Sequence, residues 1–256
     1  TSSFYVDVGG PLPFRDEAAA VGIASATHLP LTFGLFFFDY DLDGRPDLLQ
    51  VNGHLEETIN EVQPSQTYLQ VPQLFWNAGP ERPACFVEVP LPTTGDMQRE
   101  RAGRGSCYAD IDADGDQDVL MMQVGRAPVL LRNDQELQHH WLRVRLEGRS
   151  PNRAALGAWV QVTAGGAHQR QRVSPTKSYL SQSELPLTFG LGAEGRVEAV
   201  LLAVAVHPPP VEARRKDVLP REGATPVQHA AHGVRRDGLN QRHASRSEEH
   251  TSNSSH

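Results

Sequence analysis

The sequence predicts an all-β protein: a partial β-propeller with about two blades visible, followed by a small antiparallel β domain and a disordered or artefactual C-terminal tail. Three observations predict it. Two acidic loops, Asp39–Asp47 and Asp110–Asp118, each sit between short apolar runs of strand type. A plan of strand, acidic loop, strand, Gly turn and strand ending in Asn occurs twice, at an offset of 71 residues, and repeats of four short strands at such a period suggest propeller blades. From His140 onward, apolar and polar residues alternate with period two.

Taken in order, residues 1–30 are loop-like apart from a short helix expected over Asp16–Val21. Phe33–Phe38 is an apolar strand feeding the first acidic loop, Leu48–Val51 leaves it, and Asn52-Gly53-His54 turns. Residues 55–72 are polar and read as a surface insertion. Gln73–Asn77 and Cys85–Val89 read as strands, and 91–102 as a loop. Gly105–Ala109 enters the second acidic loop, Val119–Val124 leaves it, and Pro128–Asn133 matches Pro72–Asn77. Strands are then expected at Trp141–Leu146, Ala158–Val162, Gln169–Val173, Leu185–Leu191 and Val197–Val200, with Gly165-Gly166 as a hairpin turn. The expected core of this part is Trp141, Val144, Leu146, Trp159, Val162, Tyr179, Phe189 and Leu191. The domains are therefore 1–135, two blades carrying the two acidic loops; 136–200, a β domain; and 201–256, a tail.

Each acidic loop reads D-x-D-x-D-G-x-x-D. Asp39, Asp41, Asp43 and Asp47 in the first, and Asp110, Asp112, Asp114 and Asp118 in the second, offer carboxylates at positions one, three, five and nine. Position seven, Arg45 or Asp116, offers a backbone carbonyl, and Gly at position six lets the chain turn sharply. Crowded carboxylates repel one another unless a hard cation sits among them, and Ca²⁺ accepts six to eight such oxygens. An EF-hand needs Glu at position twelve, where these loops have Gln50 and Met121, so the site is of strand–loop–strand type.

The chain has 256 residues and a net charge of −7, with no basic face for nucleic acid. Cys85 and Cys107 are too few for an Fe–S, zinc or disulfide framework; they form one pair in an oxidising compartment or stay as two small buried residues. No apolar run spans a membrane. Gly190–Gly195 fits G-x-G-x-x-G but lacks a βαβ setting, and Ser174–Lys177 fits S-x-x-K without its partner motifs. His54, His139 and His140 are the histidines beside possible chemistry, and His54 is expected to stabilise its turn. No glycosidase-type carboxylate pair can be picked from the sequence.

Phe37–Gly44 and Val51–His54 resemble the FG-GAP/VCBS calcium repeats of integrin-like β-propellers. His140–Leu146, Asn152-Arg153, Gly157-Ala158, Ala164–Gly166, Ser178–Ser183 and Phe189–Gly192 resemble the ASPIC/UnbV domain that follows such repeats in cartilage acidic protein and in bacterial secreted proteins. The resemblance covers about residues 14–200. It implies Ca²⁺ on the aspartates named above, with main-chain carbonyls from Arg45 and Asp116. It also implies an extracellular or periplasmic protein whose signal peptide was lost with a missing N-terminus. The expected function is that of a calcium-binding adhesion, matrix or ligand-binding scaffold, not an enzyme, with an unknown protein or glycan as partner. The alternative is a propeller scaffold for a secreted carbohydrate-active or hydrolytic enzyme. A closed propeller needs at least four blades, so the chain reads as a C-terminal fragment. The family continues with Arg-Trp-Pro-Ser where this chain has Ala203–His207, a difference that a one-base slip near residue 201 produces; an intact frame on resequencing would overturn this. Arg246–Ser252 resembles a translated sequencing adapter. Residues 201–256 hold six of the eleven histidines, and no metal site is argued from them.

Overall fold

The computed structural model describes residues 2–10, 13–82, 84–203 and, by backbone, 234–239. Nearly all regular structure is β, arranged as several small antiparallel sheets, none closed into a barrel. Among the described residues no helix is long and apolar enough to cross a membrane.

A short ladder joins β1 (Tyr5–Asp7) and β2 (Phe14–Asp16). The helix expected over Asp16–Val21 is absent. Asp16 instead accepts the N–H groups of Phe4 and Ala18, which turns the chain, and Gly22 at φ +95° stops any helix from propagating. The first acidic loop lies in a four-stranded meander: β3 (Thr32–Phe38), β4 (Asp47–Asn52), β5 (Gln73–Asn77) and β6 (Phe86–Glu88). The polar insertion holds one helical turn, Ile59–Val62, pinned by buried Ile59. The loop at 91–102 carries two 3₁₀ turns, which place Met97 in the core. The second acidic loop lies in a sheet of β7 (Gly103–Ala109), β8 (Asp118–Gln123) and β9 (Val129–Leu131). Its three strands are those expected at 105–109, 119–124 and 128–133, one fewer than in a four-stranded blade.

Alternation within these strands sets how the sheets stack. In the first sheet, Phe36, Leu49 and Leu74 lie opposite one another on one face, while Phe37, Leu48 and Phe75 share the other. The first set packs onto Tyr108, Val119 and Met121 of the second sheet. The second set is covered by the N-terminal segment through Phe4, Ala18 and Ile23. Matching the acidic loops position by position equates Leu48 with Val119 and Leu49 with Leu120. The front of the first sheet therefore meets the back of the second, a head-to-tail contact. The front of the second sheet, where Cys107, Leu120 and Leu130 pair across the strands, faces solvent, with Leu120 37 % and Leu130 54 % exposed.

The C-terminal domain comprises β10 (His140–Leu146), β11 (Trp159–Ala164), β12 (Ala167–Arg172), the hairpin β13 (Thr176–Ser178) and β14 (Ser181–Gln182), β15 (Leu187–Gly192) and β16 (Ala199–Ala203). β10 pairs with β15 and, on its other edge, with the backbone of β17 (Val234–Leu239); β11 lies between β12 and β16. Its core holds Leu142, Val144, Val160, Val162, Phe189 and Leu191. The Gly165-Gly166 turn forms as expected, both residues at positive φ between paired Ala164 and Ala167. Three expected core residues sit elsewhere. Tyr179 is 46 % exposed and meets Phe33 edge to face, Trp159 lies half-buried under Arg170, and Trp141 packs on the second acidic loop. β16 runs to Ala203, past the domain edge set at 200. The rest of the tail, including the adapter-like stretch, lies outside the described residues except for β17. Cys85, just before β6, and Cys107, in β7, are free thiols.

Candidate metal centre

Both acidic loops are built alike. In each, β3 or β7 ends just before the first Asp, and β4 or β8 begins at the ninth position. Positions four and six carry positive φ in both copies: Leu42 at +59° and Gly44 at +91°, Ala113 at +64° and Gly115 at +101°. Left-handed backbone at a non-glycine residue costs roughly 1–2 kcal/mol, so both loops hold the same unfavourable shape. Glycine at position six also makes room for the C-terminal domain. A Cβ on Gly115 would lie 2.1 Å from the Trp141 ring, and one on Gly44 would lie 2.9 Å from Gln169 Nε2.

The ninth Asp clamps backbone in both copies. Asp47 accepts the N–H of Tyr40 at 3.1 Å and of Asn77 at 2.7 Å. Asp118 accepts the N–H of Ile111 at 2.9 Å and of Asn133 at 2.8 Å. The Asn closing each repeat is thus tied to its own loop. The fifth Asp accepts the N–H of position seven in both, Asp43 from Arg45 and Asp114 from Asp116. Asp39 receives the N–H groups of Asp43 and Gly44, and Asp41 receives Trp76 Nε1 at 3.0 Å. Buried Asp116 accepts Gln135 Nε2 at 2.7 Å.

Carboxylate oxygens of Asp39, Asp41 and Asp43 lie within 4.8 Å of one another, as do those of Asp110, Asp112 and Asp118. Asp47 and Asp114 stand outside these groups. Burial, reinforced by neighbouring carboxylates, pushes Asp39 well above the usual carboxylate range, raises Asp43 and lifts Asp47 to about 8. Arg45 pairs with Asp43 and donates Nε to the Asn77 carbonyl at 2.8 Å. In the second loop Asp110 Oδ1 is buried without a hydrogen-bond partner. The donor set is all oxygen and anionic, which fits a hard divalent cation.

The C-terminal domain roofs both loops. His139 Nδ1 lies 2.6 Å from the Asp41 carbonyl oxygen, and Gly192 N–H donates to the Leu42 carbonyl at 2.9 Å. Asn133 Nδ2 donates to the Tyr40 carbonyl at 2.6 Å. Arg143 pairs with Asp110 at 3.2 Å and also with Glu184. Sequence reasoning singled out His139 but missed Trp141, Arg143 and Glu184 as neighbours of the loops, since nothing local to an alternating strand marks a residue that reaches another domain. His54 holds its turn as expected, its Nδ1 accepting the Glu56 N–H at 3.0 Å.

Two stacked β repeats, each with an acidic loop that a third β unit packs against, define an all-β modular protein built around clustered carboxylates; the first loop is largely buried, while Ile111, Asp112 and Ala113 of the second are exposed. Residues 148–203, the larger part of the C-terminal domain, match the family model described as ASPIC and UnbV. No curated protein matches the chain.

Proposed function

We propose that this chain is part of a calcium-stabilised β-propeller scaffold, of extracellular or periplasmic type, that presents a binding surface for a protein or glycan. The observation that carries the reading is the duplication: two loops of one sequence pattern, with one set of backbone angles and one clamp geometry, on sheets stacked head to tail. Adjacent propeller blades stack in this manner. FG-GAP/VCBS-type repeats combine such blades with such loops, and the ASPIC and UnbV match supports the secreted setting.

The mechanism is structural. A divalent cation offsets the repulsion among Asp39, Asp41 and Asp43, and among Asp110, Asp112 and Asp118, and fixes each loop between its strands. At the millimolar calcium met outside cells, a dissociation constant of ~10⁻⁴–10⁻³ M suffices. A groove of about 750 Å³ runs between the two sheets, floored by Phe38, Leu49 and Val119 and rimmed by Asp96, Arg132 and Asp134. Its apolar floor and polar rim suit a ligand side chain or sugar.

Thermal unfolding in calcium and in chelator tests the reading. The expected result is a calcium-dependent rise in Tm, reduced in Asp41→Asn and in Asp112→Asn. A Tm indifferent to calcium removes the metal role. Turnover of a glycan panel by the pure chain would replace the scaffold reading with the enzymatic one.

A further inference from the structure

The two loops differ in where their arginine comes from. In the first, Arg45 belongs to the loop, and its side chain is 40 % exposed beside Asp43. The second loop contains no arginine; exposed Arg132 stands near Asp112 and Asp118, and the buried cation arrives from β10 of the C-terminal domain. Arg143 Nη1 lies 3.2 Å from Asp110 Oδ2, and its other terminal nitrogen pairs with Glu184; the three side chains are 13 %, 2 % and 12 % exposed. Thr188 Oγ1 takes a further bond from Arg143 at 3.1 Å, and Glu184 Oε1 accepts the Asp110 N–H at 3.3 Å. Asp110 is thereby fixed on one side only. Its Oδ1 is buried and bare, while the residue offers an oxygen within 4.8 Å of Asp112 and Asp118. A buried carboxylate oxygen without a partner is costly unless something positive meets it.

We propose that Arg143 is the built-in counter-ion of the second loop and sets that loop's affinity for calcium, a reading that rests on the calcium assignment above. A guanidinium stays charged at every accessible pH. It holds Asp110 in place when the loop is unfilled, and it opposes the approach of a divalent ion to the far side of the same carboxylate. The second loop is therefore the weaker calcium site and keeps its form with less help from metal. By linkage, filling it loosens the grip of Arg143, and with it one attachment of the C-terminal domain.

Isothermal titration of the full chain with calcium alone tests this, with Asp41→Asn and Asp112→Asn assigning the two sites. The expected pattern is a tighter class lost in Asp41→Asn and a weaker class lost in Asp112→Asn. Arg143→Met tightens the weaker class about tenfold, equal to about 1.4 kcal/mol. Because Arg143→Met leaves Glu184 unmatched, Arg143→Met/Glu184→Gln, whose cluster keeps its net charge, is made beside it and tightens in the same direction. The single variant also melts lower than wild type in chelator, and saturating calcium closes most of that gap, which loss of a merely structural ion pair would not allow. Unchanged or weaker second-site affinity in both variants overturns the role of Arg143 and leaves the calcium reading intact. Absence of calcium binding by the wild-type chain overturns both.

Discussion

At the scale of single residues, the acidic loops concentrate cost in a few places. Gly115 combines φ +101° with a Trp141 ring where a Cβ would sit, whereas Gly125 has φ +66° and open space around it. Gly115→Ala should destabilise by about 3 kcal/mol and Gly125→Ala by about 1 kcal/mol, read from denaturant midpoints. The buried carboxylates set a pH dependence. Asp47 titrates near 8 in the folded chain, far above its ordinary range, and Asp39, Asp43 and Glu184 are raised too, chiefly by burial. A raised carboxyl binds its proton more tightly in the folded state, so its contribution is complete below about pH 4 and is lost as pH climbs toward about 8. In chelator, Tm should fall across that window. Calcium binds the ionised form, so it should flatten or reverse the slope, and melting curves at several pH values in both media check this.

At the scale of elements, the head-to-tail stacking makes Leu49 and Leu120 a matched pair with unlike surroundings. Leu49 is 1 % exposed between the sheets, and Leu120, its counterpart in the second repeat, is 37 % exposed. Leu49→Ala should cost 2–5 kcal/mol, on the order seen for buried leucines, and Leu120→Ala less than about 1 kcal/mol. Equal losses would mean that the second sheet's outer face is covered. The ninth-position clamp makes a parallel case. Asp118→Ala strands the N–H groups of Ile111 and Asn133, at about 1–3 kcal/mol each when buried, and chemical denaturation with and without calcium separates that loss from a loss of metal. These elements could be read from the sequence because their signals are local. Apolar runs flank each acidic loop, Gly165-Gly166 marks its hairpin, and strand alternation from His140 is regular. The missing helix at Asp16 escaped because a side chain capped a turn. The single helical turn at Ile59 escaped because one buried residue, set by tertiary packing, decides it.

At the scale of the whole molecule, the contacts that join the C-terminal domain to the acidic loops were beyond sequence reasoning. Arg143 and Glu184 lie 41 residues apart and meet Asp110 only after three sheets are in place. The same contacts predict that the domain and the repeats melt as one unit. A single calorimetric transition for the full chain is expected, and two resolved transitions would show that His139, Arg143 and Gly192 hold the domain weakly. The outward face formed by Cys107, Leu120, Met122 and Leu130 has a consequence of another kind. A front that fits the next back is a rule of addition with no term at which it stops. The segment carrying Phe4, Ala18 and Ile23 covers the back of the first sheet, so among the described residues the front of the second sheet is where a further surface of the same kind would add.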